Sequence, residues 1–268
     1  PSFSLVGHRR APDYSGLPPL SRPSLRGRAF SYDADAVRYN DFSGKALSRY
    51  DFRAETGEVW CEDPALLYEL LYLMLHSRLG EWWERQGLFR AHGLAFSFRD
   101  RPVIFLAPEG VGKTSLFLRL NRVPGVELYS DDIVLIDRDL RIHPFPSRFR
   151  LTVDEAVRLG VKDEAAVFAR QGRETKYLVD PELLGARPAA PGRPALLIAG
   201  ERKLNGPPEF LPLGFSGRLG TLSRDLVIGW GLPQMVEYFL RSGFREWGAK
   251  SWLASRRLAR AARLAVAA

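Results

Sequence analysis

The chain has 268 residues and a hydrophobic content of 46%, which is that of a globular protein with at least one full-sized core. The net charge of +8, from 39 basic and 31 acidic residues, favours an anionic partner such as a nucleotide, a nucleic acid or an acidic peptide. The single cysteine, Cys61, excludes an internal disulfide and a cysteine metal cluster.

The sequence lacks the signatures of several protein classes. It has no zinc-finger spacing, no heptads with a basic region and no aromatic RNA-binding motif, so we expect no nucleic-acid partner. The longest apolar run, Leu66 to Leu75, includes Glu69 and is too short to cross a membrane. The first residues lack the basic-then-apolar pattern of a signal peptide. We therefore expect a cytoplasmic protein without integral membrane contact.

Residues 1–62 are rich in proline, glycine, serine and aromatic residues, and short strand-like pieces predict a small β- or loop-rich N-terminal region. A core helix is predicted next, because Asp63 suits an N-cap, Pro64 suits the first helical position and leucines recur at helical spacing. Gly87 predicts its end. We assign residues 63–231 to an α/β domain with a mixed sheet flanked by helices, and residues 232–268 to a C-terminal helical segment.

Two strands joined by a short turn are predicted after this helix. Residues 94–98 alternate in polarity, residues 99–101 are polar, and residues 102–106 are apolar, which indicates a β-hairpin. His92 precedes the first strand and could lie near a ligand held by the second. A lone histidine is more often structural, so the residue type alone leaves both interpretations open.

Residues 103–114, VIFLAPEGVGKT, predict a strand that runs into a phosphate-binding loop. Gly110 and Gly112 let successive N–H groups point at one spot, Lys113 adds a cation for the outer phosphates, and the Thr114 hydroxyl can hold Mg²⁺. A helix that begins near Thr114 would direct its N-terminal dipole at the same phosphates. The usual spacing has glycine where this chain has Ala107. The alternative is an ordinary strand–turn–helix whose glycines serve only the turn.

Residues 126–136, VELYSDDIVLI, place two adjacent carboxylates, Asp131 and Asp132, inside an apolar β-rich run. Burying two carboxylates costs free energy unless a positively charged group lies next to them. One carboxylate could hold Mg²⁺ and the other could take a proton from an attacking hydroxyl. The alternative is a β-turn between two strands with both acids solvated.

Further elements follow the acidic pair. Residues 151–170 predict one or two short helices, with Thr152 as a cap, and residues 195–199 predict a strand. Between them, Arg173 and Lys176 could neutralise phosphate charge during a transfer reaction. A solvated basic turn explains these two residues equally well.

The order of these motifs, His92-Gly93, strand, turn, strand, glycine loop, helix and Ser130-Asp131-Asp132, resembles the HPr kinase/phosphorylase family. The resemblance covers about residues 88–150 and implies a catalytic domain similar to that of the PEP carboxykinases. The glycine-rich segment that the bifunctional members carry after the acidic pair is missing here. The chain is therefore more similar to divergent HPr-kinase-like proteins, such as lasso-peptide kinases.

The resemblance implies a role for each matching position. Asp131 would be the catalytic base and Asp132 a partner of Mg²⁺, or these two roles would be exchanged. His92 would lie close to the transferred phosphate, with Lys113 and Thr114 on the phosphates and the metal. ATP would be bound by the loop, which comprises Glu109, Gly110, Val111, Gly112, Lys113, Thr114 and Ser115.

The expected function is a kinase that transfers the γ-phosphate of ATP to a hydroxyl, serine being the expected one, of a peptide or protein. The sequence leaves open a small-molecule hydroxyl kinase, an NTPase switch that hydrolyses the nucleotide, and a module that binds nucleotide without turnover. The sequence also does not decide whether the nucleotide is ATP or GTP, or whether a reverse phosphorylase reaction exists. The oligomeric state is open as well, and the resemblance allows a homo-oligomer.

Overall fold

The computed structural model describes residues 3–23, 29–108, 110–168, 174–202, 207, 209–225 and 244–267. Two residues predicted for the site, Glu109 and Arg173, lie outside these ranges, as do residues 232–243 of the predicted C-terminal helical segment. The structure is mixed α/β, and its contacts divide the chain into two compact units. Among the described helices, none has both the length and the hydropathy that crossing a membrane requires.

The first unit comprises residues 1–82, 168–175 and 233–252 and is built on a six-stranded sheet. The strand order is β1-β6-β5-β4-β3-β2, with β1 parallel to β6 and the other neighbours antiparallel. The strands are β1 (Ser4–His8), β2 (Leu20–Pro23), β3 (Phe30–Ala34), β4 (Val37–Asp41), β5 (Ala46–Asp51) and β6 (Thr56–Cys61).

Helix α1 (Pro64–Arg85) follows the sheet, and its ends confirm the sequence prediction. The Asp63 carboxylate accepts a hydrogen bond of 2.8 Å from the N–H of Ala65, as an N-cap does. At the other end Gly87 has φ of 87°, a left-handed conformation that glycine adopts without strain. In the first unit, leucines of α1 and Met74 pack on sheet residues such as Val59 and Cys61, and burial of this stripe stabilises the helix.

The second unit comprises residues 83–167, 176–232 and 253–268 and contains three smaller sheets. A four-stranded mixed sheet has the order β10-β8-β9-β16, and two three-stranded sheets have the orders β12-β11-β7 and β13-β15-β14. The strands are β7 (Phe89–His92), β8 (Leu94–Phe98), β9 (Arg101–Leu106), β10 (Val126–Ser130), β11 (Ile133–Ile136), β12 (Ile142–His143), β13 (Phe149–Leu151), β14 (Ala166–Phe168), β15 (Lys176–Val179) and β16 (Leu196–Ala199).

The predicted hairpin and the predicted later strand are both confirmed. Strands β8 and β9 pair antiparallel across the turn at residues 99–100, and β16 pairs parallel with β9. The helices after α1 are α2 (Lys113–Leu120), α3 (Val153–Arg158), α4 (Phe215–Asp225) and α5 (Phe244–Ala267). The second unit has two apolar clusters, one around Ile104 and Val134 and the other around Phe117 and Phe149.

Of the one or two short helices predicted within residues 151–170, the structure shows one, α3, with Thr152 as its N-cap. Among the described residues up to 168, α3 is the only helix in this stretch, and it stops because Gly160 takes a left-handed conformation with φ of 70°. The Val161 N–H then donates to the Ala156 carbonyl and closes the end. The chain enters a turn and forms strand β14 at Ala166–Phe168, where Val167 favours extended backbone.

Two crossings of the chain between sheets meet at one place and position the site. The chain passes from β7 to β8 through Gly93, and from β10 to β11 through Asp131 and Asp132. The Gly93 N–H donates to the Asp132 carbonyl over 3.1 Å, and Ile133 pairs with His92. A Cβ on Gly93 would lie 2.9 Å from the Phe105 carbonyl oxygen, so only glycine allows this close crossing. His92 and the acidic pair are thereby neighbours.

Candidate functional site

The glycine loop joins β9 to α2 and has the backbone that a phosphate loop needs at two positions. Gly110 and Gly112 have φ of 84° and 100°, in the region that only glycine adopts without strain. Helix α2 begins at Lys113, one residue before the predicted start. Ala107, which stands where the usual loop has glycine, is fully buried at the end of β9. Its methyl group is therefore part of the protein interior.

Lys113 lies over the loop and binds two of its carbonyl groups. Its ammonium group donates to the Ala107 carbonyl over 2.7 Å and to the Pro108 carbonyl over 3.1 Å, and the side chain is buried. The cation thus stabilises carbonyl groups that the tight turn would otherwise leave with fewer donors.

Asp131 is buried beside the first turn of α2. The Thr114 hydroxyl donates to Asp131 Oδ2 over 2.7 Å, whereas Asp131 Oδ1 is buried and has no hydrogen-bond partner within the described part of the chain. Burial raises the pKa of Asp131 from 3.8 to about 7, and the neighbouring Asp132 charge adds to this, while Thr114, Arg150 and Lys113 oppose it. A carboxylate with one unsatisfied oxygen, next to a hydroxyl, is a position that suits a cation.

Asp132 is more accessible and is held from two sides. His92 Nδ1 lies 3.2 Å from Asp132 Oδ1, and Arg150 Nη2 lies 2.7 Å from Asp132 Oδ2. The two acids lie between β10 and β11, so the alternative prediction of a turn between two strands is correct about their position. Neither carboxylate is simply solvated, however, because Asp131 is only 7% exposed and Asp132 has a partner on each oxygen.

Glu155 connects the first turn of α2 to α3. Its carboxylate accepts from the Ser115 hydroxyl over 2.9 Å, and also from the N–H of Thr152 over 2.9 Å and its hydroxyl over 3.1 Å. Thr152 is the N-cap of α3, as predicted, and forms a capping box with Glu155. Sequence reasoning identified the cap and missed Glu155, although the Thr-x-x-Glu spacing is a recognisable signal.

Arg150 was also missed, because no spacing in the sequence associates it with Asp132. Of the two cations proposed as charge stabilisers, Lys176 is described and begins β15. Burial tends to raise the pKa of Glu155, but hydrogen bonds from Thr152 and Ser115 outweigh it and lower that pKa, with a smaller contribution from Lys176. The antiparallel register pairs Arg150 with Leu178. Lys176 lies two residues before Leu178, so Arg150 and Lys176 share one face of the sheet.

The described residues contain no group of three or more histidine, cysteine, aspartate or glutamate side chains that could hold a metal ion. Mg²⁺ bound with a nucleotide needs no such cluster, because it takes one or two carboxylates, the phosphates and several waters. Thr114 and Asp131 fit this pattern, since the unsatisfied Asp131 Oδ1 lies on the same carboxylate that accepts from the Thr114 hydroxyl.

No model of a known protein family matches the chain, and no curated protein sequence matches it. The resemblance to the HPr-kinase-like proteins therefore stays a prediction, carried by the order of three motifs. The structure adds that these three motifs are neighbours: His92 and Thr114 each contact one of the two adjacent carboxylates.

Proposed function

We propose that this protein is a kinase that transfers the γ-phosphate of ATP, bound with Mg²⁺, to a hydroxyl of a peptide or protein, with serine as the expected acceptor. We also propose that β7–β11, β16 and α2 form a P-loop core of the kind found in PEP carboxykinases and HPr-kinase-like proteins. This assignment rests on the motif order in the sequence and on the arrangement of the site.

One observation carries the proposal: the Thr114 hydroxyl and the Asp131 carboxylate lie 2.7 Å apart at the start of the helix that follows the glycine turn. A turn whose glycines had only a structural purpose would not need a buried acid at this position. Placing a carboxylate there costs free energy, as the rise of the Asp131 pKa to about 7 indicates. A bound nucleotide and its cation would offset that cost.

The two carboxylates have different surroundings, and these support the exchanged assignment of roles. In P-loop enzymes the loop hydroxyl and an acid from a neighbouring strand hold Mg²⁺ together, and Asp131 bonds the Thr114 hydroxyl. Asp132 is more exposed and is oriented by His92 and Arg150. We therefore propose Asp131 as the partner of Mg²⁺ and Asp132 as the base that accepts the proton of the acceptor hydroxyl.

In the proposed phosphoryl transfer, separate groups of the chain position the phosphates, hold the cation and accept the proton. The N–H groups of the loop and Lys113 position the β- and γ-phosphates, and Mg²⁺ would supply neutralising charge held by Thr114 and Asp131. Asp132 takes the proton from the incoming hydroxyl, and His92 fixes the direction of that carboxylate. Positioning and charge neutralisation supply most of what this reaction needs.

Label transfer tests the proposal. The wild-type protein is incubated with γ-labelled ATP, Mg²⁺ and extract of the source cell, and label is then measured in the protein, peptide and small-molecule fractions. We expect label in the protein or peptide fraction, and loss of that label in Asp132→Asn. Asp139→Asn is the matched control, because Asp139 is exposed and lies outside the site.

Other outcomes would contradict the proposal in distinct ways. Label only in the small-molecule fraction would indicate a small-molecule kinase. Release of free phosphate without an acceptor would indicate an NTPase, and nucleotide binding without any turnover would indicate a binding module. Full transfer by Asp132→Asn, with loss of transfer in Asp131→Asn and normal binding of Mg-ATP, would restore the first assignment of the base.

A further inference from the structure

Arg150 lies at the candidate site because of how its strand is packed. It is the middle residue of β13, and its neighbours Phe149 and Leu151 are fully buried. Phe149 stacks on Phe117 of α2, with ring centroids 5.4 Å apart and an angle of 13° between the rings. Side chains alternate along a strand, so Arg150 points away from the face that Phe149 uses. The stacked rings fix β13 against α2, the helix whose first turn contains Thr114.

The guanidinium of Arg150 already binds an anionic group. Arg150 Nη2 lies 2.7 Å from Asp132 Oδ2, and the side chain is 31% exposed, so the guanidinium is accessible to a ligand. Lys176, on the same face of the sheet, interacts with Glu155. Each of these cations therefore has a carboxylate next to it at the site where we propose that phosphates bind.

We infer that Arg150 recognises the terminal phosphate of a nucleoside triphosphate, an inference that rests on the proposed function. A guanidinium presents a planar set of N–H donors that fits a phosphate as well as it fits a carboxylate. A γ-phosphate bound beyond Thr114 carries more negative charge than Asp132 and competes for the same donors. A nucleoside diphosphate has no group at this position and gains nothing from Arg150.

The move of Arg150 from Asp132 to the γ-phosphate would also prepare the Asp132 carboxylate for the reaction. When Arg150 turns to the phosphate, Asp132 keeps its contact with His92 and presents the other oxygen to an acceptor hydroxyl. In the structure, Arg150 Nη2 lies 2.7 Å from that oxygen. Arg150 thus makes the site selective for triphosphate and links arrival of the triphosphate to exposure of the base.

Nucleotide affinities test this inference. Dissociation constants for ATP and for ADP, each with Mg²⁺, are measured by calorimetry for the wild type, Arg150→Gln, Arg150→Lys and Arg148→Gln. Arg148 is the matched control, because it is half exposed and pairs with Asp180 at 2.8 Å, outside the site. We expect Arg150→Gln to weaken ATP binding roughly 10-fold or more, since a hydrogen bond to a charged group is lost, and to change ADP binding less than about 2-fold. Arg150→Lys should keep part of the selectivity.

The double variant Arg150→Gln with Asp132→Asn separates direct recognition from an indirect effect. If Arg150 only shields the Asp132 charge from the phosphate, removing that charge will restore ATP affinity and overturn the inference. We expect the double variant to stay weak. An unchanged ratio of ATP to ADP affinity in Arg150→Gln would overturn this inference but would not contradict the proposed function. A wild-type protein that binds neither nucleotide would overturn the proposed function and this inference with it.

Discussion

The N-terminal sheet and the region around the glycine loop differ in how their buried charged groups are paired. In the sheet, Arg38 is 1% exposed and donates two hydrogen bonds of 2.7 Å to the carboxylate of Asp33. In the loop region, Asp131 is also buried, with 7% exposure, yet one of its oxygens has no partner within the described residues. A matched buried pair is costly to break, because removing one member leaves the other charge unpaired. A buried carboxylate that is only half satisfied costs stability, and under the proposed function a bound cation would offset that cost.

The largest effects should come from the acids of the loop region. We expect Asp132→Asn to reduce phosphate transfer about 100-fold or more, the scale of a lost general base, while Mg-ATP binding stays near that of the wild type. Asp131→Asn should instead weaken ATP binding in a way that depends on Mg²⁺. Binding and transfer rates measured in parallel check this division, and loss of Mg-dependent binding in Asp132→Asn would contradict it.

Breaking the matched pair should affect stability strongly. We expect Arg38→Met to lower the free energy of unfolding by roughly 3 kcal/mol, because it leaves the Asp33 carboxylate without its buried partner. Urea unfolding followed by fluorescence measures this effect. Arg49→Met is the control in the same sheet: Arg49 lies 3.5 Å from Glu58 but is 30% exposed, so its loss should cost less than about 1 kcal/mol. Equal losses of unfolding free energy in Arg38→Met and Arg49→Met would contradict the idea that the buried pair matters more than the exposed one.

The free energy of unfolding should depend on pH because of Asp131, the buried acid with one unpaired oxygen among the described residues. The pKa of Asp131 is raised from 3.8 to about 7 by burial, so the folded state holds this proton more tightly than the unfolded state. The resulting stabilisation is fully present below about pH 3.8 and is lost as the pH rises through about 7. We therefore expect the nucleotide-free protein to lose on the order of a few kcal/mol from this source between pH 5 and pH 8.

Asp131→Asn should remove that pH dependence, because asparagine carries no proton to lose. At pH 8 the variant should be as stable as the wild type or more stable, in contrast to Arg38→Met. Thermal unfolding at several pH values, with Asp139→Asn as the control, measures both points. A variant with the same slope as the wild type between pH 5 and pH 8 would show that Asp131 titrates normally.

The smallest effect concerns the link between α2 and α3. We expect Thr152→Ala to cost about 1 kcal/mol, since the N-cap of α3 is lost. The Glu155 carboxylate would also lose one of the donors that hold it beside Ser115, so nucleotide binding should weaken slightly. Thr152→Ser keeps the capping hydroxyl and should behave as the wild type in both measurements.

Features set by neighbouring residues could be predicted from the sequence. The N-cap at Asp63, the hairpin around residues 99–100 and the glycine loop each depend on a few consecutive residues, and the structure confirms the cap and the hairpin. The end of α3 depends on Gly160, a local signal that the sequence prediction did not use. The short strand after it pairs with β15, the next strand in the chain, and its three residues are too few for hydrophobic periodicity to indicate a strand.

The contacts that give the site its chemistry come from packing across longer separations. Thr114 and Asp131 are 17 residues apart, and Ser115 and Glu155 are 40 residues apart. The loop and the acidic pair could be recognised because each is a local pattern. Arg150 could not, because its approach to Asp132 depends on packing between strands of different sheets.

Proton release on nucleotide binding tests the central claim most directly. Mg-ATP binding is measured at pH 7 by calorimetry in buffers that differ in ionisation enthalpy, for the wild type and for Asp131→Asn. With a pKa of about 7, Asp131 is half protonated before binding, and a cation bound to its carboxylate displaces that proton. We predict that the wild type releases about half a proton more than Asp131→Asn. Equal proton release in the two proteins, or no binding by the wild type, would contradict the account.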